Sequence, residues 1–246
     1  MTGIERPQGG TGMASKVEKL HVDGHEMDAY VSAPGGDAAR PGMIVIMHAG
    51  GVDEFTRAMT DRLAEAGYVA AAPDLYHWKG PDEDRSPRTI DDAEMTADVE
   101  ATVAHLRSRD DVRADAIGII GFCMGGRTAY LMAAAVPALS AAVAYYGGGI
   151  MQPRGDVHTS PFERTAEMSC PLLFHFGGED GNPSPEDMQT LDAQMTRLEK
   201  EHEFHAYAGA GHAFMDFTGP RHHEEGARVS WPRTLDFLAR HLGTGS

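Results

Sequence analysis

Along the chain, polar and apolar positions alternate between short apolar runs and longer striped segments. Residues 17–22 and 27–33 alternate in part around Gly24, which reads as an opening β-hairpin. After the Gly/Pro loop 34–42, the run 43–47 (Met-Ile-Val-Ile-Met) is continuously apolar, as expected for a strand buried on both faces. Phe55, Met59, Leu63 and Ala66 then share one helical stripe that Gly67 stops. Residues 68–72 form a further buried strand ended by Pro73, and the polar stretch 77–90 reads as a surface loop. Ile90, Ala93, Ala97, Ala101 and Ala104 recur at steps of three and four, predicting a helix over about 90–107. Strands are expected at 116–120, 139–145, 171–176 and 203–207, and helices at 125–135 and around Met188, Leu191, Met195 and Leu198. A last helix carries Trp231, Leu235, Leu238 and Leu242 on one stripe, with Pro232 in its first turn.

This alternation of strand and helix predicts an α/β fold, with a mostly parallel central sheet, helices on both faces and a β-hairpin in front. The expected organisation is a solvated arm at 1–15 and one domain over 16–246, of a size one hydrophobic core can fill. No apolar run is long enough to span a bilayer, and no apolar stretch near the start resembles a secretory signal, so the cytoplasm is the expected compartment. The 37 acidic residues outnumber the 21 basic ones, for a net charge of −16. That balance argues against non-specific nucleic-acid binding, which rests on neutralising phosphates with Lys and Arg. A monomer or a homodimer is compatible with the sequence.

The two cysteines cannot form a disulfide framework. Cys123 lies in Gly121-Phe122-Cys123-Met124-Gly125-Gly126, between a predicted strand and a predicted helix. This G-x-C-x-G pattern is a nucleophile elbow with Cys in place of Ser. The turn presents a side chain at a helix N-terminus, where the dipole favours a thiolate, and the Met124 N–H can face an oxyanion. Cys170, before Pro171 at a strand start, reads as structural. In chain order, a nucleophile of this kind is followed by an acid and a base. Asp180, in the turn Gly177–Asn182 after a strand, is the chosen acid, with Glu179 as runner-up. His212, in the Gly-rich loop 208–214 after the next strand, is the base. His222-His223-Glu224-Glu225 reads as a charged helix start, since adjacent positions do not share a helix face. The turn His48-Ala49-Gly50-Gly51 supplies a second oxyanion donor, Ala49 or Gly50. Tyr76, His77, Trp78 and Phe122 are candidate pocket walls, each equally compatible with ordinary packing.

Together these segments resemble the dienelactone hydrolase (carboxymethylenebutenolidase) family. The family's elbow G-[FY]-C-x-G-G is matched by 121–126, its P-D-L-[YF] segment by Pro73-Asp74-Leu75-Tyr76, its G-G-x-D turn by 177–180, its base loop by 209–214, and its R-T-L-x-F stretch by 233–238. The resemblance covers roughly 17–242. It implies an α/β-hydrolase fold and hydrolysis of activated small esters or enol lactones by Cys123, His212 and Asp180 through a thioester, with neither cofactor nor metal. Two departures stand out. The family's usual acidic neighbour of the thiol is replaced by His48, which is expected to touch the Cys123 sulfur or its surroundings. Asp216 stands where prototype members hold a carboxylate-binding arginine, which leaves Arg85 and Arg88 as candidate clamps and points to neutral or cationic substrates. The alternatives are a general carboxylesterase or thioesterase, a non-catalytic binding protein of this fold, and a peroxide-sensitive thiol.

Overall fold

The computed structural model describes residues 12–80 and 82–243. Its strands and helices follow in the order β1 (Ala14–Val22), β2 (His25–Ala33), β3 (Arg40–Ile46), α1 (Glu54–Glu65), β4 (Val69–Pro73), α2 (Asp92–Arg107), β5 (Val112–Phe122), α3 (Met124–Ala135), β6 (Ala141–Tyr145), β7 (Leu172–Gly177), α4 (Pro185–Arg197), β8 (His202–Tyr207) and α5 (Glu224–Leu242). The eight strands form one sheet in the order β1-β2-β4-β3-β5-β6-β7-β8. The β1–β2 and β2–β4 pairs are antiparallel, and all pairs from β4 to β8 are parallel.

Side chains from β3, β5 and β6 are buried on both faces, which is why these strands read as unbroken apolar runs. On one face Met95 and Val99 of α2, Tyr130 and Leu131 of α3, and Met188 of α4 pack against the sheet. On the other, Phe55 and Met59 of α1 meet Trp231, Phe237 and Leu238 of α5. Helix starts follow their capping residues. The Asp53 carboxylate accepts from the Thr56 N–H at 3.0 Å, and Ser184 with Asp187 forms a capping box ahead of α4.

The sequence places each of these elements, with several boundaries shifted: β3 begins at Arg40, inside the expected loop 34–42, and β5 runs over Val112–Phe122 where 116–120 was expected. The arm expected over 1–15 gives way to β1 at Ala14, because Ala14 pairs with Ala33 and the Ser15 hydroxyl reaches Ser32 and Asp61; residues 1–11 lie outside the described residues. Pro232 sits in the interior of α5, not in its first turn. The charged start at His222–Glu225 and the apolar stripe belong to one helix, capped where the His223 ring accepts from the Gly226 N–H at 3.0 Å.

The chain leaves β3 toward β4 on one side and returns to β5 on the other. Strand direction of travel therefore reverses between β3 and β5, which opens a crevice beyond their C-terminal ends. The turn at His48–Gly51, Cys123, Asp180 and His212 each follow the C-terminal end of a parallel strand.

Candidate active site

Cys123 is the single residue between the end of β5 and the start of α3. Its backbone has φ 56° and ψ −114°, a conformation that costs an L-residue about 1–3 kcal/mol. Glycines make the turn possible: a Cβ on Gly121 would strike the Gly125 carbonyl, and one on Gly125 the Ile46 carbonyl. The Cys123 N–H is held by the Tyr145 carbonyl at 3.0 Å, and the Met124 N–H, first in α3, donates toward the sulfur.

His212 reaches this sulfur from the loop after β8, with Nε2 3.0 Å from Sγ. Its Nδ1 donates to Asp180 Oδ2 at 2.9 Å. The other Asp180 oxygen accepts from the Asn182 N–H at 2.9 Å, and the residue is only 5% exposed. Glu179 is exposed, so Asp180 is the acid that meets the imidazole. Burial by itself would raise the Cys123 thiol, but the hydrogen bond and charge of His212, with the Met124 N–H, outweigh it and hold the thiol below its ordinary range. Burial opposes protonation of His212, yet the bonds to Asp180 and Cys123 lift it to about 9. The two shifts arise from the same hydrogen bond and favour the charged form of each group. Cys170, with no such partner, is pushed up by burial to about 12.

Cys123 and His212 open on a cavity of about 190 Å³, walled also by His48, Ala49, Tyr146, Asp216 and Arg221. A larger hollow of about 480 Å³ lies against the outer side of α2 and contains none of these groups. His48 shares the cavity wall with Cys123, and its Nε2 bonds Asp53 Oδ2 at 2.7 Å. An acid is thus present behind His48. The turn folds tightly over this pair, for a Cβ on Gly50 would lie 2.7 Å from the Asp53 carboxylate. Tyr76 fixes the same turn by donating its hydroxyl to the Ala49 carbonyl at 3.0 Å. Among the described residues, no group of three or more His, Cys, Asp or Glu side chains is disposed to hold a metal ion.

Several expected wall residues lie elsewhere. Phe122 is a core residue, stacked on Tyr145 and edge-on to Phe55. Trp78 donates its indole N–H to Asp98, and His77 bonds the same carboxylate. Gly50 does not face the cavity, which leaves Ala49 as the residue of that turn in the wall. Arg85 bonds the Lys79 carbonyl on an exposed loop and Arg88 is exposed, so neither is a clamp in this cavity. The arginines that do approach are Arg221, in the cavity wall, and Arg154, whose charge acts on Cys123 and Tyr76. Those two and Tyr146 escaped the sequence reading. Their signal is position alone, since each lies in a segment following a parallel strand's C-terminal end.

The dienelactone hydrolase family model matches residues 27–242. A Salmonella typhimurium protein assigned as a carboxymethylenebutenolidase is 32% identical, over 98% of this chain and 92% of its own. A Bradyrhizobium protein assigned as a 2-oxo-3-(5-oxofuran-2-ylidene)propanoate lactonase is also 32% identical, over 91% of this chain and 93% of its own. A Klebsiella pneumoniae crystal structure assigned as a dienelactone hydrolase superposes with a TM-score of 0.87 at 29% identity, covering 93% of this chain and 99% of the other. The chain therefore belongs to the dienelactone hydrolase family and is a carboxylic ester hydrolase of the α/β-hydrolase fold.

Proposed function

We propose that the protein hydrolyses activated small esters or enol lactones through a thioester on Cys123. The observation that carries this reading is the unbroken line of hydrogen bonds from Asp180 through His212 to the Cys123 sulfur. The thiolate attacks the carbonyl carbon, and the carbonyl electron pair moves onto oxygen. On this reading the Met124 N–H and the Ala49 N–H receive that oxyanion, and one such donor contributes roughly 10²–10³ in rate. Collapse expels the alcohol or enol oxygen, which takes the proton from His212. The now neutral imidazole removes a proton from water, hydroxide adds to the thioester, and the thiolate leaves with the acid as product.

Asp180 keeps Nδ1 of His212 protonated and Nε2 aimed at the sulfur. A thiolate leaves readily, so it returns to its free form in preference to expelling a poor leaving group; activated enolates and phenolates suit it, and amides do not. A cavity of about 190 Å³ favours small substrates. The test is turnover of p-nitrophenyl acetate and of enol lactones by wild type and Cys123→Ala. The variant is expected to lose turnover, and equal rates in the two proteins would refute the proposal.

A further inference from the structure

The cavity that holds Cys123 and His212 has a second imidazole in its wall, which the proposed chemistry does not use. His48 lies just beyond β3 and reaches the cavity from there. Its Nε2–H donates to Asp53 Oδ2 at 2.7 Å. Each part of that pair is fastened. The other Asp53 oxygen accepts from the Thr56 N–H at 3.0 Å, at the N-terminus of α1, where the helix dipole favours a carboxylate. The Gly51 N–H donates to the His48 carbonyl at 3.1 Å, and the Gly51 carbonyl accepts from the Thr56 hydroxyl at 2.9 Å. The Phe55 ring stands edge-on to the imidazole, with 5.3 Å between centroids.

This arrangement dictates where the ring keeps its hydrogen. An ionised carboxylate only accepts, so the nitrogen facing it carries the proton and the neutral ring holds a bare lone pair on Nδ1. Nε2 is also covered, since a Cβ on Gly50 would lie 2.9 Å from it. Among the described residues the His48 side chain makes its hydrogen bond through Nε2 alone, so Nδ1 is the polar atom it can offer to the cavity. What this acceptor meets follows from the order of groups around the thiol. On the proposed reading the leaving oxygen turns to His212 and the carbonyl oxygen to Ala49, the next residue of the same turn. The part of the substrate that falls to His48 is then the acyl substituent beside the carbonyl.

We infer that His48 is a specificity-determining residue that selects acyl groups carrying a hydrogen-bond donor, a hydroxyl or N–H, on the carbon next to the scissile carbonyl. The inference rests on the proposed reading of the Cys123 site and names the acyl class that site serves. An ester or lactone of a 2-hydroxy acid gives its hydroxyl hydrogen to Nδ1 while its carbonyl oxygen lies toward the Ala49 turn. An acyl group without the donor leaves Nδ1 unsatisfied, which is how a hydrogen-bonding site rejects analogues of its substrate. Asp216 also presents a carboxylate to the cavity, but its Oδ1 already accepts from the N–H and hydroxyl of Thr218 at 2.9 and 2.6 Å.

The test compares kcat/KM for the p-nitrophenyl esters of hydroxyacetic and fluoroacetic acid. The two acyl groups are of nearly equal size, but the hydroxyl donates a hydrogen bond and the fluorine cannot. Comparing their ratio between wild type and a variant cancels the intrinsic reactivity of each ester. The ratio is expected to fall about tenfold in His48→Phe, to recover in part in His48→Asn, whose amide oxygen takes the place of Nδ1, and to stay unchanged in Asp216→Asn. An unchanged ratio in both His48 variants would overturn the inference, as would a fall in Asp216→Asn in their place. Equal loss of both esters in His48→Phe and His48→Asn would also overturn it, by assigning His48 to the thiol or to the Ala49 turn and not to the acyl group. The reading of Cys123 is answered separately, by the turnover of Cys123→Ala: an inactive variant with an unchanged ratio at His48 leaves that reading standing and removes this inference alone.

Discussion

Asp180 with His212 and Asp98 with His77 are built from the same parts. Each carboxylate is almost wholly excluded from water, and each bonds an imidazole nitrogen, at 2.9 and 2.8 Å. They part at the second nitrogen of the ring. For His212 it meets the Cys123 sulfur at 3.0 Å, at the wall of a cavity; for His77 it is buried without a partner among the described residues. Asp98 is further enclosed by the Trp78 indole, which reaches both its oxygens at 3.1 Å, and by His25 of the hairpin packed on that indole. Burial pushes Asp98 up to about 6 despite the bonds from His77 and Trp78. A buried carboxylate behind an imidazole orients a ring in either place. Acid–base chemistry additionally requires that the ring face a reactive atom within reach of a ligand.

The comparison is broken most directly by paired removal of the two rings. His212→Ala is expected to lower kcat by roughly 10³–10⁴, within the range of a lost general base. His77→Ala is expected to keep kcat within a few-fold and to lower the melting temperature, since it leaves the buried Asp98 with the Trp78 indole as its one remaining donor among the described residues. Similar losses of kcat in both would abolish the distinction drawn here. Removing the charges behind the rings gives a smaller effect. Asp180→Asn should lower kcat on the order of 10², while Asp98→Asn should leave it near wild type.

The thiols sharpen the same contrast as pH is varied. Because His212 holds the Cys123 thiol below its ordinary range, alkylation by iodoacetamide should persist as pH falls into a region where Cys170, at about 12, is inert. Replacing His212 should move the Cys123 inflection upward. In wild type His212 gives up its proton as pH rises through about 9, and with it the charge that holds the thiol down.

The smallest effect concerns stability. With a folded value of about 6 against an ordinary 3.8, Asp98 binds its proton more tightly in the folded chain. Its contribution to stability is therefore complete below about 4 and is lost as pH rises through 6. Melting curves of Asp98→Asn should lack that decline, a difference of a few degrees. An identical pH dependence in the two proteins would show that Asp98 does not titrate as its burial demands.

How legible these features were in the sequence follows from how each is specified. The strands and helices are legible because β3, β5 and β6 are buried on both faces and α1 shows one apolar stripe, so local pattern and tertiary burial agree. Cys123, Asp180 and His212 are legible because each sits in a glycine-rich turn after a strand, where backbone demands leave a visible mark. Arg154 leaves none. It is fixed by Asp92, 62 residues earlier in the chain, through contacts that no local spacing encodes. Arg85 and Arg88 invite selection by their nearness to Tyr76 in sequence, but their loop turns its charges to solvent. Phe122 adjoins the nucleophile in sequence and points into the core, as neighbouring positions on a strand alternate. Pro232 misleads because α5 opens on Glu224, Glu225 and Gly226, which carry no apolar side chain.

The central claim is that the Cys123 sulfur becomes covalently acylated during turnover. Rapid quenching of wild type with p-nitrophenyl acetate, followed by mass spectrometry of the proteolysed chain, tests it directly. The account predicts an acetyl group on the Cys123 peptide that appears at the rate of the first phenolate burst and decays at the turnover rate, with Cys170 unmodified. Turnover with no acyl group on Cys123, or undiminished turnover by Cys123→Ala, would contradict it.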